Sequence, residues 1–186
     1  MEFLSFNMLE DEHKLIVEAK GGEAEAFGRL YDYYLPAIYR FILLKVAQRE
    51  EAEDLTHQVF LKAWQNISDF SVKGFPFSSW LYRIARNLVI DHYRKIKPVI
   101  NIDEKLVSEK LIFRPALSEL DDKQDVSRIM TALKQLQEIE QDVVIMRFIE
   151  DLSIKEISTT INKSEGAIKL IQHRAIKKIK IILENK

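Results

Sequence analysis

The sequence predicts an all-α protein built as two small helical domains joined by a flexible linker. Three observations favour this fold class. The 186 residues include 5 Gly and 4 Pro among many Leu, Ile, Lys and Glu, so the turn residues of a many-stranded protein are missing. Apolar residues recur at helical spacing over two long stretches. Between them, residues 98–119 have a proline near each end and no sustained helical pattern.

The predicted boundaries give a front domain, residues 1–97, the linker, residues 98–119, and a back domain, residues 120–186. A back domain of this size is small but able to fold. The sequence has 0 Cys, which excludes a disulfide framework and a thiolate metal site. It shows no basic leader, and no apolar run approaches the roughly 18 residues of a membrane span. We therefore expect a cytoplasmic protein without direct membrane insertion.

Charges are segregated along the chain, although the net charge is -1. Residues 10–60 hold 6 Lys and Arg against 11 Asp and Glu, a balance of -5. The balance is 5 against 1, or +4, for residues 75–97, and 7 against 2, or +5, for residues 161–186. Two separated basic segments in an otherwise acidic chain indicate a polyanion as partner. Solvated helix faces without a partner remain the alternative.

In the front domain, the segment EEAEDLTHQVFLKAW predicts a helix with two different faces. The inward arc consists of Leu55, Thr56, Val59, Phe60 and Ala63. Asp54, Gln58 and Leu61 follow the other side at spacings i, i+4 and i+7. This stripe fits a docking surface for a partner helix, although a single exposed Leu often has no such role.

The segment FSSWLYRIARNLVIDHYRK predicts a further front-domain helix that is both structural and functional. Trp80 and Tyr82 are assigned to the core, because aromatic residues at helical spacing usually pack inside. A different side of this helix carries polar residues. Arg83, Asn87 and Arg94 form a ridge along it, and Arg86 lies beside the ridge. Cations bind phosphate and an amide can read a base edge, while Phe75 and Phe77 could stack on unpaired bases. We expect this face to contact nucleic acid.

In the back domain, LSIKEISTTINKSEGAIKLIQHRAIKKIK predicts a helix-turn-helix. Ser153 stands three residues before Glu156, the spacing of a capping box at a helix start. On the second helix, the face opposite Ile168 forms a basic arc. Its candidate DNA contacts are Lys169, Leu170, His173, Arg174 and Lys177. Such an arc supplies cations for phosphates and donors for base edges, unless the lysines merely favour the negative end of the helix dipole.

With AFGRLYDYYLPAIYRF preceding them, these segments resemble extracytoplasmic-function (ECF) sigma factors, group IV of the sigma-70 family. The resemblance covers nearly the whole chain apart from the linker and the first few residues. It implies an alternative sigma factor that binds core RNA polymerase, recognises minus-35 and minus-10 promoter elements and initiates transcription of a specific regulon. It implies a protein that is not an enzyme and that has no catalytic residue, no metal site and no cofactor.

The resemblance also implies roles for the predicted surfaces. The front domain resembles region two, which binds the polymerase β′ clamp helices, here through Asp54, Gln58 and Leu61. The ridge around Asn87 would meet the melted minus-10 strand, because the family has an Asn there that helps to form a pocket for a flipped base. Arg83, Arg86 and Arg94 would accompany it.

The back domain resembles region four, which reads the minus-35 duplex in the major groove while resting on the polymerase β flap. The five residues of the basic arc would be its groove contacts. Where the family often has Gly-Thr-Val, this chain has SEGAIK, so the family's phosphate contacts at that helix start are not carried over. Many relatives are held by an anti-sigma factor, and we expect one as a partner here.

Two other functions remain open from the residues alone. A dimeric helix-turn-helix regulator acting without polymerase fits the last two helices but leaves the front domain unexplained. An enzyme could use Glu10 with His13 and Asp54 with His57, since a carboxylate three residues before a His occurs in helical di-metal sites. Such a site also needs inward carboxylates on two further helices.

Overall fold

The computed structural model describes residues 11–71, 76–96 and 123–184. Within these ranges the chain forms eight α-helices and no strand, so the predicted all-α class is confirmed. The front domain contains α1 Glu12–Lys20, α2 Ala24–Val46, α3 Arg49–Asn66, a 3-10 turn Ile67–Asp69 and α4 Phe77–Ile96. The back domain contains α5 Lys123–Lys134, α6 Glu138–Phe148, α7 Ile154–Ile161 and α8 Glu165–Glu184. The predicted linker lies outside the described residues.

The front domain is a bundle in which α2 is the central helix. α1 reverses onto α2 through Gly22, whose φ of 96° is unfavourable for residues with a side chain. α2 buries Leu30, Ile38 and Phe41 completely, and α3 and α4 pack on it. The five predicted inward residues of α3 are all buried, as their 3.6-residue periodicity indicated.

Aromatic rings pack together in the core of the front domain where α4 begins. Phe77 is 1% exposed and packs against Tyr34, Phe70 and Trp80, with ring centroids 5.3 to 5.6 Å apart. The expectation that Phe77 stacks on unpaired bases is therefore wrong for this conformation, because its ring fills the core. Phe75, the other candidate for stacking, lies outside the described residues.

Two helices of the back domain begin with a capping box, α6 with Gln137 and Glu140 and α7 with Ser153 and Glu156. At the start of α7, the Glu156 amide donates to Ser153 Oγ over 3.2 Å, and the Ser153 amide donates to Glu156 Oε2 over 2.8 Å. This confirms the capping box expected from the sequence. α7 ends at Asn162 in the left-handed region, and α8 follows and packs through Ile168 and Ala175, both 0% exposed.

The two domains pack directly against each other. α2 contacts α6, and α4 contacts α7. One group of buried residues runs from the front domain into the back domain, where it includes Met146, Ile157 and Ile168. The described chain is therefore in a closed arrangement, which the sequence analysis did not anticipate.

Candidate nucleic-acid and polymerase interfaces

The outer face of α8 presents the predicted groove residues together. Lys169, Leu170, His173, Arg174 and Lys177 are all exposed, and Leu170 is 49% exposed. They share this face because α8 buries the opposite side through Ile168 and Ala175. Three residue types thus point to solvent from one helix: cations, an imidazole and an aliphatic side chain. This combination can neutralise phosphates and contact base edges in a major groove.

A carboxylate beneath α8 fixes its orientation. Lys178 Nζ donates to both oxygens of Glu140 on α6, at 2.7 and 2.8 Å. Burial acts to raise the pKa of Glu140, but Lys178 and the Gln137 amide outweigh it, so the pKa lies below its usual value. Glu140 therefore stays ionised and holds Lys178. This lysine lies in the basic part of the sequence, yet its role in the structure is to attach α8 to α6.

The exposed side of α3 carries the predicted polymerase contacts. Asp54, Gln58 and Leu61 are all exposed, and Leu61 is 56% exposed. Leu61 also borders an open concavity of about 310 Å³ between α2 and α3. The remaining lining residues are Ala24, Phe27, Tyr31, His57, Phe60 and Trp64. An apolar hollow beside a polar stripe is suited to receive an apolar anchor from a partner helix.

The structure divides the polar residues of α4 into two groups. Asn87 and Arg94 are exposed to solvent, with Arg94 Nη1 3.7 Å from Asp91. Arg83 and Arg86 are partly buried beneath the back domain. Arg83 Nη2 donates to the Thr159 carbonyl oxygen over 2.5 Å, and Arg86 Nε donates to Asp142 Oδ2 over 2.7 Å. In this conformation, half of the predicted minus-10 surface contacts the back domain.

Asp142 of α6 is the centre of the charged contacts between the domains. Its side chain is 0% exposed and accepts from Lys45 of α2 over 2.6 Å as well as from Arg86 of α4. Glu138, one turn earlier on α6, lies 3.5 Å from the Arg86 guanidinium. One buried carboxylate of the back domain therefore compensates two cations of the front domain.

Glu150 forms a second buried contact between the domains. Arg40 donates to both of its oxygens, at 2.7 and 2.5 Å, and the Tyr82 hydroxyl donates to it over 3.1 Å. Burial raises the pKa of Glu150, although Arg40 and Tyr82 oppose the rise. For Arg40, burial lowers the pKa and the hydrogen bonds and charge of Glu150 raise it. The pKa of Arg40 is therefore raised overall. Glu150 is the more deeply buried partner, with its side chain 0% exposed against 13% for that of Arg40.

These interdomain partners and the aromatic lining of the concavity were not predicted from the sequence. Arg40 and Glu150 are 110 residues apart in the chain, and Arg86 and Asp142 are 56 apart, so no local spacing connects them. The acidic run around Asp142 was counted only as part of the acidic background. The AFGRLYDYY segment did contain a signal for the concavity, since its aromatic residues include Phe27 and Tyr31.

The part of the chain that the structure describes lacks a metal cluster and a membrane-spanning helix. In residues 11–71, 76–96 and 123–184, no three His, Asp or Glu side chains come together to form a possible metal site. Asp54 and His57 are both exposed on α3. Among the helices described by the structure, none has the length and hydropathy needed to cross a bilayer.

Comparison with known proteins first defines the class. The chain matches the family Sigma-70 region 2 over residues 30–98 and the family Sigma-70, region 4 over residues 132–180. The first match contains the α3 stripe and the α4 ridge, and the second contains the helix-turn-helix. The protein is thus a sigma-70-type transcription initiation factor.

Curated relatives and solved structures narrow the class. ECF RNA polymerase sigma factor BldN of Streptomyces coelicolor is 37% identical over 172 residues, which cover 91% of this chain and 65% of BldN. ECF RNA polymerase sigma factor SigW of Bacillus subtilis is 30% identical over 173 residues, covering 87% of this chain and 90% of SigW. The structure of CnrH in complex with the cytosolic domain of CnrY has the same fold, with a TM-score of 0.73 at 22% identity over 95% of this chain and 99% of CnrH. The chain belongs to the family of ECF RNA polymerase sigma factors, alternative sigma factors that initiate transcription.

Proposed function

We propose that this chain binds core RNA polymerase in the cytoplasm and directs it to the promoters of one regulon through separate minus-35 and minus-10 contacts. The exposed face of α8, from Lys169 to Lys177, is the observation that carries the proposal. It stands on a helix-turn-helix within the part of the chain that matches Sigma-70, region 4. The chain acts as a binding subunit and not as an enzyme, since the polymerase supplies the chemistry.

The back domain would read the minus-35 duplex. Arg174 and Lys169 offer donors for guanine edges and phosphates, and Leu170 offers an apolar surface for a thymine methyl group. The exposure of these side chains and the attachment of α8 through Lys178 to Glu140 support this assignment. The polymerase β flap would support the domain from another side.

The front domain would hold the melted minus-10 strand along α4. Asn87 has an exposed amide that can pair with the edge of a flipped base, and flipping costs a few kcal/mol that such contacts offset. Arg83, Arg86 and Arg94 would bind the adjacent phosphates. Asp54, Gln58 and Leu61 on α3 would contact the β′ clamp helices, with Leu61 and the neighbouring concavity as the apolar part of that contact.

Transcription in vitro with core polymerase and the chain's own promoters tests this proposal at α8. Arg174→Ala should weaken minus-35 recognition by about 1–3 kcal/mol, because a lost base contact typically costs that amount. Lys180→Ala is a control on the same helix, since Lys180 is 75% exposed, lies beyond the last proposed groove contact, Lys177, and pairs with Glu184. Equal effects of the two substitutions on promoter selectivity would remove Arg174 from the groove.

Asn87→Ala tests the proposed minus-10 pocket. It should reduce promoter opening, measured by permanganate reactivity of unpaired thymines, while the association with core polymerase remains intact. A loss of polymerase association instead would show that Asn87 is structural.

Polymerase dependence separates the proposal from a dimeric helix-turn-helix regulator. We expect footprints of both promoter elements with holoenzyme. Protection of a palindromic operator at nanomolar concentration by the chain alone would support the dimeric regulator.

Family membership also leads us to propose an anti-sigma factor as a regulatory partner. Native pull-down should recover it together with polymerase subunits.

A further inference from the structure

We propose that Glu165, in the first turn of α8, reads one cytosine of the minus-35 element by accepting a hydrogen bond from the exocyclic amino group of that base. Gly166 beside it lets the backbone of α8 come close enough to the base edges for this contact. The inference rests on the proposed function, because it takes the exposed face of α8 to lie in the major groove. It extends that function by naming a base that the promoter must carry.

Glu165 places a negative charge at the start of a basic surface. It is exposed, one turn before the exposed Lys169 and on the same helix as Arg174 and Lys177. A carboxylate repels the phosphates that these cations attract, so it opposes binding that depends on charge alone. A carboxylate at this position therefore needs a favourable contact with DNA to offset that repulsion.

The fold of the back domain does not depend on the Glu165 side chain. The cap of α8 comes from Ser164, whose Oγ accepts from the Ala167 amide over 3.2 Å. Within residues 123–184, as far as the structure describes them, the Glu165 carboxylate has neither an ion pair nor a hydrogen bond. An acidic residue in the first turn does stabilise a helix through the helix dipole. That effect is independent of the DNA sequence, so the two roles predict different experimental results.

Gly166 continues the exposed stripe of α8 toward the start of the helix. Gly166, Leu170, His173 and Lys177 follow the spacing i, i+4, i+7 and i+11, and all four are exposed. A Cβ added to Gly166 would meet no neighbouring part of the described chain within 4 Å. Glycine destabilises a helix relative to alanine, and packing within the chain does not require it here. A close approach of DNA to this stripe gives a reason for the missing side chain.

The chemistry of the major groove identifies the base. Cytosine presents only an amino donor there, whereas guanine and thymine present acceptor oxygens. An ionised carboxylate has only acceptors, so it binds an amino group and is repelled by a carbonyl oxygen. Adenine places an acceptor nitrogen beside its amino group, an arrangement that an amide matches better than a carboxylate does. The first residues of a recognition helix are the ones that reach base edges.

Glu165→Ala tests the base contact in the full-length chain assembled with core polymerase. The probes are duplexes of one of the chain's own promoters in which each minus-35 base pair is replaced in turn by the other three. With the unsubstituted chain, loss of one cytosine should weaken binding about fivefold or more. Glu165→Ala should make that position tolerant of every base and should raise the affinity for DNA without a minus-35 element, because a repulsive charge is gone.

A base analogue and a second substitution sharpen this test. Pyrimidin-2-one in place of that cytosine lacks only the amino group, so it should weaken binding by the unsubstituted chain and leave binding by Glu165→Ala unchanged. Glu184→Ala is the control, since Glu184 is an exposed acid on the same helix that pairs with Lys180. It should alter the preference at no position. An equal effect of the analogue on Glu165→Ala and on the unsubstituted chain would overturn the contact.

Gly166→Ala tests the close approach with two measurements that should change in opposite directions. The melting temperature should rise by about 2 °C, because alanine favours the helix and the added methyl group has room. Minus-35 binding should nevertheless weaken about tenfold, since the methyl group keeps the helix away from the bases. Gly28→Ala on α2, where a Cβ also meets nothing within 4 Å, should raise the melting temperature without changing base preference. A stabilised Gly166→Ala chain that binds as tightly as the unsubstituted one would overturn the close approach.

Arg174→Ala separates this inference from the proposed function. Suppose that Arg174→Ala lowers minus-35 selectivity and that Glu165→Ala affects all bases alike. The carboxylate then acts only through its charge, and the cytosine contact is overturned while the placement of α8 in the groove stands. If neither substitution changes selectivity, the placement of α8 in the groove fails, and the cytosine contact fails with it.

Discussion

At the scale of single residues, Asp142 and Glu150 show that two buried carboxylates in one interface can act differently. Asp142 compensates two cations, Lys45 and Arg86, so its charge is shared between two helices of the other domain. Glu150 pairs with Arg40 and accepts a hydrogen bond from Tyr82, yet burial still raises its pKa. Removing the charge of Asp142 would take a shared carboxylate from Lys45 and Arg86, whereas removing the charge of Glu150 would take the carboxylate from Arg40.

The raised pKa of Glu150 predicts a pH dependence of the closed form. The closed form binds a proton at Glu150 more tightly than an open form in which this side chain is solvated and has its ordinary pKa near 4.5. Its contribution to closure is complete below that ordinary value and is lost as pH rises through the closed-state pKa. Arg40 from α2 and Tyr82 from α4 are the polar groups that face Glu150.

Comparing the wild-type chain with Glu150→Gln isolates this contribution from every other effect of pH on the interface. Fluorophores at Lys14→Cys and Lys163→Cys, one exposed position in each domain, report the distance between the domains. Between pH 7 and pH 5, fluorescence transfer between them should rise more in the chain that keeps Glu150 than in the variant, which has no proton to bind there. Parallel pH profiles in the two proteins would contradict this account of Glu150.

At the scale of secondary-structure elements, α3 and α8 each have a buried face and an exposed face. α3 buries six residues on one side and presents Asp54, Gln58 and Leu61 on the other. Leu61 differs from an isolated exposed apolar residue because it borders the concavity lined by Phe27 and Trp64. An aliphatic side chain beside such a hollow is a candidate for the energetic centre of a helix-docking contact.

Leu61→Asp should weaken association with core polymerase by roughly 2 kcal/mol, since burial of a leucine contributes about that amount and a carboxylate opposes an apolar contact. Val17→Asp is the matched control: Val17 is 51% exposed against 56% for Leu61 and lies on α1 of the same domain. Binding of labelled variants to immobilised core polymerase measures the effect. Equal losses for both substitutions would mean that a negative charge anywhere on the front domain is harmful, and would remove Leu61 from the contact.

At the scale of the whole molecule, the sequence allows the helices and their faces to be predicted but not the way the domains meet. Periodicity identified the buried face of α3, and local spacing identified the cap made by Ser153 and Glu156, because both depend on neighbours within a few residues. The pairing of Arg40 with Glu150 depends on tertiary packing across 110 residues. From sequence alone, a charged residue is expected at the surface. Asp142 is buried instead, because Lys45 and Arg86 both pair with it. The exposed candidates on α8 could be predicted from the sequence because they lie on one face of a single helix.

The closed arrangement gives the last prediction, a reversible block of promoter function by a cysteine pair. Ser79 and Thr160 face each other across α4 and α7, with Thr160 Oγ1 3.4 Å from the Ser79 carbonyl oxygen, and they are 1% and 3% exposed. Since the natural chain has 0 Cys, Ser79→Cys with Thr160→Cys introduces the sole thiols of the molecule. A disulfide between them would keep the domains together and prevent one chain from reaching both promoter elements.

Transcription by holoenzyme assembled with the oxidised double variant should fall about tenfold or more, because the competent fraction of the sigma factor is removed, and reductant should restore it. The variants with one cysteine each should respond to neither oxidant nor reductant, which controls for the substitutions themselves. Mobility on a non-reducing gel verifies that the disulfide has formed. Full promoter activity from a verified cross-linked chain would show that the two domains work without separating, and would contradict this prediction.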